Sequence, residues 1–160
     1  MKNPSEELVT AWLQECKGYF TMNNIRVPRK GAEIDILATN KKNNIWVEVS
    51  VSTNPRRRHK KEVQFQGTIK DFLKDFRRVD KNEKAKEVFF NKLYEKWLVY
   101  GKLPLIKKEV ELFPQEMKKN SVKAVYFGDI LKDLFELEGY RLDAARGYIN
   151  VIKTFLNKNE

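Results

Sequence analysis

The chain is short of nearly everything that announces a ready-made chemistry. It has one cysteine and one histidine in 160 residues. Cys16 alone excludes an intramolecular disulfide and a cysteine-rich zinc site. Its place in an apolar-periodic segment reads as a buried thiol rather than a nucleophile. His59 stands without the partners a histidine metal site needs. No run approaches the ~18 apolar residues that span a bilayer. Nothing of signal-peptide type follows Met1-Lys2-Asn3-Pro4. A cytoplasmic protein with no membrane partner is the simplest expectation. No internal repeat or low-complexity segment is visible.

What is present is charge and apolar patterning. The hydrophobic fraction is 41% and aromatic residues make up 12%, enough for one sizeable core in a single domain spanning 1–160. Formal net charge is +10. An excess of that size in a small domain favours a polyanionic partner, nucleic acid first, over an anionic membrane or a merely soluble basic surface.

Periodicity gives the elements. Ser5 is placed to cap a helix over 5–17, with Glu6 and Glu7 in its first turn and Leu8, Trp12, Leu13 and Cys16 at helical spacing. Residues 19–27 read as extended. Residues 31–52, GAEIDILATNKKNNIWVEVSVS, switch to a period of two. Strands are expected over 33–38 and 45–52 as an antiparallel hairpin around a polar turn. Glu33, Asp35 and Thr39 contrast with Ile34, Ile36 and Ala38. Trp46, Glu48, Ser50 and Ser52 share one face of the second strand, and Val47, Val49 and Val51 the other. Helices are expected over 62–76 and 80–94, and strands over 96–100 and 122–127. A helix begins at Gly128-Asp129 and another covers 142–156. Residues 105–121 are ambiguous, because Pro114 interrupts the pattern. The fold class is α/β, a mixed sheet flanked by helices.

Two carboxylates on neighbouring strands carry the chemistry. Glu48 lies between valines, where an unpaired carboxylate is costly. A divalent cation relieves both the desolvation and the repulsion from Asp35. Magnesium takes oxygen ligands, and Asp35, Glu48 and the Val49 carbonyl supply part of such a shell. The plainer reading has both carboxylates in solvent, paired with lysines such as Lys41 or Lys61. Directly downstream lies PRRRHKKE, residues 55–62, and residues 53–86 hold twelve Lys/Arg against five Asp/Glu. Arg56, Arg57, Arg58, Lys60 and Lys61 are expected to hold phosphates. Few aromatics are interleaved there, so base stacking is not signalled in that loop.

Glu6-Glu7, the EID at 33–35 and the VEVS at 47–50 together resemble the core motif of the PD-(D/E)XK nuclease superfamily, in the restriction-endonuclease-like style of Holliday-junction resolvases and Mrr-like proteins. The resemblance implies a nuclease fold and hydrolysis of DNA phosphodiester bonds, in junction or other DNA, with Mg²⁺ or Mn²⁺ and often by a dimer. By similarity Asp35 and Glu48 take the metal-binding places. Glu7, before Glu6, matches the helical acid, and Gln64 or Gln66 the glutamine of the next helix. The family's lysine position is Ser50, which cannot supply positive charge. Lys70, or Lys60 and Lys61, would have to replace it, unless the metal activates water alone. The alternatives are a non-catalytic nucleic-acid-binding module on the same fold, or an unrelated α/β protein.

Overall fold

The computed structural model describes residues 3–28, 31–51 and 65–136. The helix expected over 142–156, Ser52 and residues 62–64 of the expected second helix lie outside them.

Helix α1 (Pro4–Glu15) starts one residue earlier than the sequence suggests. Its cap is Asn3, whose Oδ1 accepts from the Ser5 N–H at 3.0 Å, while Ser5 itself is buried. Pro4 suits the first helical position because its missing N–H would be unpaired there anyway. Strands β1 (Phe20–Arg26), β2 (Glu33–Thr39) and β3 (Asn44–Ser50) follow. The β2–β3 turn is held by Asn40, whose Oδ1 accepts from the N–H groups of Lys42 and Asn43. Asparagine does this readily, since its side chain mimics a backbone turn. Then come α2 (Phe65–Leu73), α3 (Val79–Val88), β4 (Glu95–Tyr100), α4 (Lys107–Lys119), β5 (Val122–Tyr126) and α5 (Phe127–Glu136).

The five strands form one open mixed sheet in the order β1-β2-β3-β4-β5. The first three are antiparallel. β4 and β5 add in parallel to β3. Helices cover both faces, as a sheet buried on both sides requires. On one face Leu8, Val9, Trp12 and Leu13 of α1 join Phe127, Ile130, Leu131 and Leu134 of α5 over Ile36, Ala38, Ile45 and Val47. On the other, Ile69, Leu73, Ala85, Phe113 and Met117 from α2, α3 and α4 cover Ile34, Leu37, Trp46 and Leu98.

Two expectations need correction, and one open stretch is decided. β2 is not half polar: Ile34, Ile36, Leu37 and Ala38 are all buried. Ile34 and Leu37 face one layer, Ile36 and Ala38 the other, so strict alternation breaks at Asp35. The ambiguous 105–121 stretch is mostly α4, with Pro114 inside it. Packing of Phe113 and Met117 into the core compensates for the hydrogen bond that proline removes. Finally, α3 stops at Val88 rather than running to Tyr94, because Phe90 and Asn91 turn left-handed. Among the described residues no helix is long and apolar enough to cross a membrane.

Candidate active site

β2 and β3 pair from Ile36↔Val47 to Thr39↔Asn44 and then part. Asp35 stands where they separate. Its Oδ2 accepts from the Val49 N–H at 2.7 Å, a strong charge-assisted contact that ties the two strands across the gap. Glu48 is one residue before Val49 on the same face as Trp46. It is buried, with 7% of its surface exposed. The Trp46 indole Nε1–H donates to Glu48 Oε1 at 2.8 Å. The Glu48 and Asp35 carboxyls hydrogen-bond each other.

Two carboxyls this close and this buried do not both stay ionised. Burial first, then the charge of Asp35, pushes Glu48 up to about 8. Burial also raises Asp35, offset in part by the Val49 N–H and by the hydrogen bond from Glu48. The pair as a whole therefore holds a proton more tightly than two free carboxyls would. The solvent-exposed, lysine-41-paired arrangement is not what the structure shows for either residue.

The charge that balances the pair comes from α3. Lys81 is only 4% exposed. Its Nζ lies 3.0 Å from Glu48 Oε1 and 2.9 Å from Asp75 Oδ1. Burial pulls its ammonium down, but Glu48 and Asp75 outweigh that and leave it above the ordinary lysine range. Arg78 and the Lys81 N–H both bond Asp80, which orders the first turn of α3. Lys70, expected as the replacement amine, is exposed on the last turn of α2. Ser50 is exposed at the end of β3, and Gln66 is exposed too. Arg56, Arg57, Arg58, Lys60, Lys61 and Gln64 lie outside the described residues.

Sequence reading missed Lys81, although a signal existed. Lys81, Ala85 and Phe89 recur every four residues, and the last two are apolar and buried. A lysine that opens an apolar stripe is a lysine in the core. On α1, Glu6 is the carboxyl raised by burial and by Asp35 and Glu33. Glu7, half-buried beside it, lies on the same first turn.

No protein-family model and no curated protein matches the sequence. One solved structure, titled "Crystal Structure of Protein of Unknown Function AF1548", is similar with a TM-score of 0.43 and 16% identity, over 78% of this chain and 59% of that one. The chain thus spans less than two thirds of that protein.

Among the described residues no cluster of three or more His, Cys, Asp or Glu gathers around a common point. The carboxyl pair nonetheless fits a hard divalent cation. Magnesium is usually bound through one or two carboxylates, with waters and substrate phosphate completing its shell. A cation would take the place of the proton between Asp35 and Glu48, and oxygen donors are the right kind.

The shared proton has a consequence for stability. In metal-free protein Glu48 binds a proton more tightly folded than unfolded. Its contribution is fully present below its ordinary value of 4.5 and is lost as pH rises through about 8. Relative to Glu48→Gln, the wild type should lose on the order of a few kcal/mol between pH 5 and pH 8.5. Urea titrations of both proteins in EDTA measure it. A difference that does not change with pH would mean Glu48 is ionised throughout.

Proposed function

We propose that this protein is a metal-dependent nuclease that hydrolyses phosphodiester bonds in DNA, with Asp35, Glu48 and Lys81 as its catalytic residues. The observation that carries this reading is the buried Lys81 ammonium 3.0 Å from Glu48. It supplies the positive charge that Ser50 cannot, beside a carboxylate pair at the point where β2 and β3 part. The resemblance to the PD-(D/E)XK superfamily points the same way, with the lysine moved from the strand to a helix.

Asp35, Glu48 and the Val49 carbonyl would hold Mg²⁺ or Mn²⁺. When bound, the ion would polarise the scissile phosphate and lower the pKa of a water molecule. The remaining roles belong to the protein. Glu48 gives up the shared proton as the site loads. Trp46 fixes its carboxyl through the indole N–H. Lys81 has three N–H donors, of which Glu48 and Asp75 engage two. The third is assigned to a phosphate oxygen, where a fixed charge in a dry setting stabilises the developing transition state. Asp75 is half exposed, so an incoming phosphate can also displace it from Lys81. The basic segment 55–62 would hold the backbone on either side.

The test is purified protein incubated with supercoiled, linear and four-way-junction DNA, in Mg²⁺, in Mn²⁺ and in EDTA. Cleavage is expected with either metal, absent in EDTA and absent from Asp35→Ala prepared in parallel. DNA binding without cleavage of any substrate by folded wild type would replace this reading with a binding module. Equal cleavage by Asp35→Ala would place the activity elsewhere.

A further inference from the structure

The far end of α3 carries a second feature that the carboxylate site does not use. A groove of about 300 Å³ opens between edge strand β1 and the turn after α3, lined by Phe20, Met22, Leu37, Phe89, Phe90 and Lys92 among others. Its size is at the lower end of ligand clefts, about 300–1,000 Å³. Leu37 and Phe89 belong to the layer that also holds Trp46, so the groove is on the Glu48 and Lys81 face of the sheet. The rise of α3 puts Phe90 about 13 Å from Lys81 along the helix.

Two aromatic rings stand in water here. Phe90 is 86% exposed and Phe20 79%. Phe90 is held out at a cost. The Asn91 N–H bonds the Lys86 carbonyl at 2.8 Å and the Phe90 N–H bonds the Glu87 carbonyl at 3.2 Å. That is a Schellman cap with Phe90 at the position glycine favours, and its φ is 51°. A bulky side chain is disfavoured there. The fold would gain from glycine, so the ring is not kept for the fold.

The one charged side chain that lines the groove among the described residues is basic, Lys92, and no acidic side chain among them lines it. Exposed Lys41 and Lys42 lie in the turn before Asn44, a lining residue whose side-chain N–H₂ donates to the Leu93 carbonyl at 3.2 Å. Exposed aromatic faces with a lysine and no carboxylate in the lining suit a partner that has flat π-surfaces on an anionic backbone.

We infer that this groove is a base-stacking platform for single-stranded nucleic acid, with Phe90 and Phe20 taking bases while Lys92, Lys41 and Lys42 hold phosphates. The inference rests on the nucleic-acid reading above and narrows it: the protein engages a strand whose bases are unpaired near the point of cleavage. α3 then joins the two functions, Lys81 at its start and Phe90 just past its end.

Fluorescence anisotropy with a dodecameric oligothymidylate, and with an abasic strand of equal length and charge, tests it in EDTA. Wild type should prefer the thymidylate. Phe90→Gly and Phe20→Ser should each lower that affinity roughly tenfold and leave abasic binding unchanged. Phe90→Gly should melt no lower than wild type, which separates lost binding from lost folding. Equal affinity of wild type for both strands, or no binding to either, would overturn the platform. Unchanged thymidylate binding in both variants would do so as well. If sedimentation then shows a dimer that the variants dissociate, the patch is instead a contact between two copies. Cleavage that fails while the thymidylate preference holds sinks the nuclease alone. Cleavage that holds without the preference sinks the platform alone.

Discussion

Lys81→Met should lower the rate of metal-dependent DNA cleavage by about 100-fold or more, with DNA affinity nearly unchanged. Removing one preorganised charged or hydrogen-bonding group from a transition state costs that much. Methionine keeps the length and the apolar stem, so α3 can still dock. The carboxyl pair loses its cation, but it can hold a proton instead, and the half-exposed Asp75 can be solvated, which limits the damage to folding. Lys81 is buried against Glu48 and Asp75, so few phosphate contacts vanish with it. Lys70→Ala, on the exposed side of α2, should cut within about twofold of wild type, as expected of a surface change away from the site. Single-turnover rates at saturating protein, with binding measured in EDTA, separate the two effects. A folded Lys81→Met protein that cuts at the wild-type rate would make the ion pair structural only.

Trp46→Ala should cost about 3–5 kcal/mol of stability, the range for truncating a large buried aromatic. Trp46 has no exposed surface. Its ring lies 5.0 Å from Phe76 and 6.4 Å from Tyr94, centroid to centroid. The Lys96 ammonium sits over it at 5.6 Å. The gap would be large, since Phe76, Tyr94 and Lys96 all lie against that ring. Trp46→Phe keeps most of the volume and removes only the N–H that holds Glu48. Its cost should be nearer ~1–3 kcal/mol, that of leaving a buried acceptor one donor short. Urea unfolding of the three proteins at one pH gives both numbers. An alanine variant less than about 1 kcal/mol weaker would mean the layer collapses around the gap.

The strands were legible because β-branched residues and alternation dominate 33–39 and 44–50, and because the polar run at 40–43 can only turn. α1 was legible from its apolar stripe, and only its cap was misplaced. What stayed hidden was decided by tertiary contact. Pro114 argues against a helix locally, and the burial of Phe113 and Met117 overrides it. β2 reads as half polar because Asp35 and Glu33 are polar, whereas the chain twists at Asp35 and buries both faces beyond it. Asp35 and Glu48 stand out in the sequence because one lies between isoleucines and the other between valines. Lys81 does not, because it is one lysine in a helix, VDKNEKAKEV, where polar residues prevail. Only its register with Ala85 and Phe89 distinguishes it.

A lysine on the same strand as its glutamate would be present as soon as a hairpin formed. Here the amine arrives from 33 residues downstream, on a helix whose buried residues are Lys81 itself and Ala85. α3 is thus fastened by few groups: the Lys81–Glu48 contact, Ala85, the partly buried Val88, and Phe89 just past its end. Opening such a weakly anchored segment costs less than unfolding the whole domain. For the proposed nuclease, cleavage in rising urea should therefore disappear while the sheet and its carboxylates are still in place.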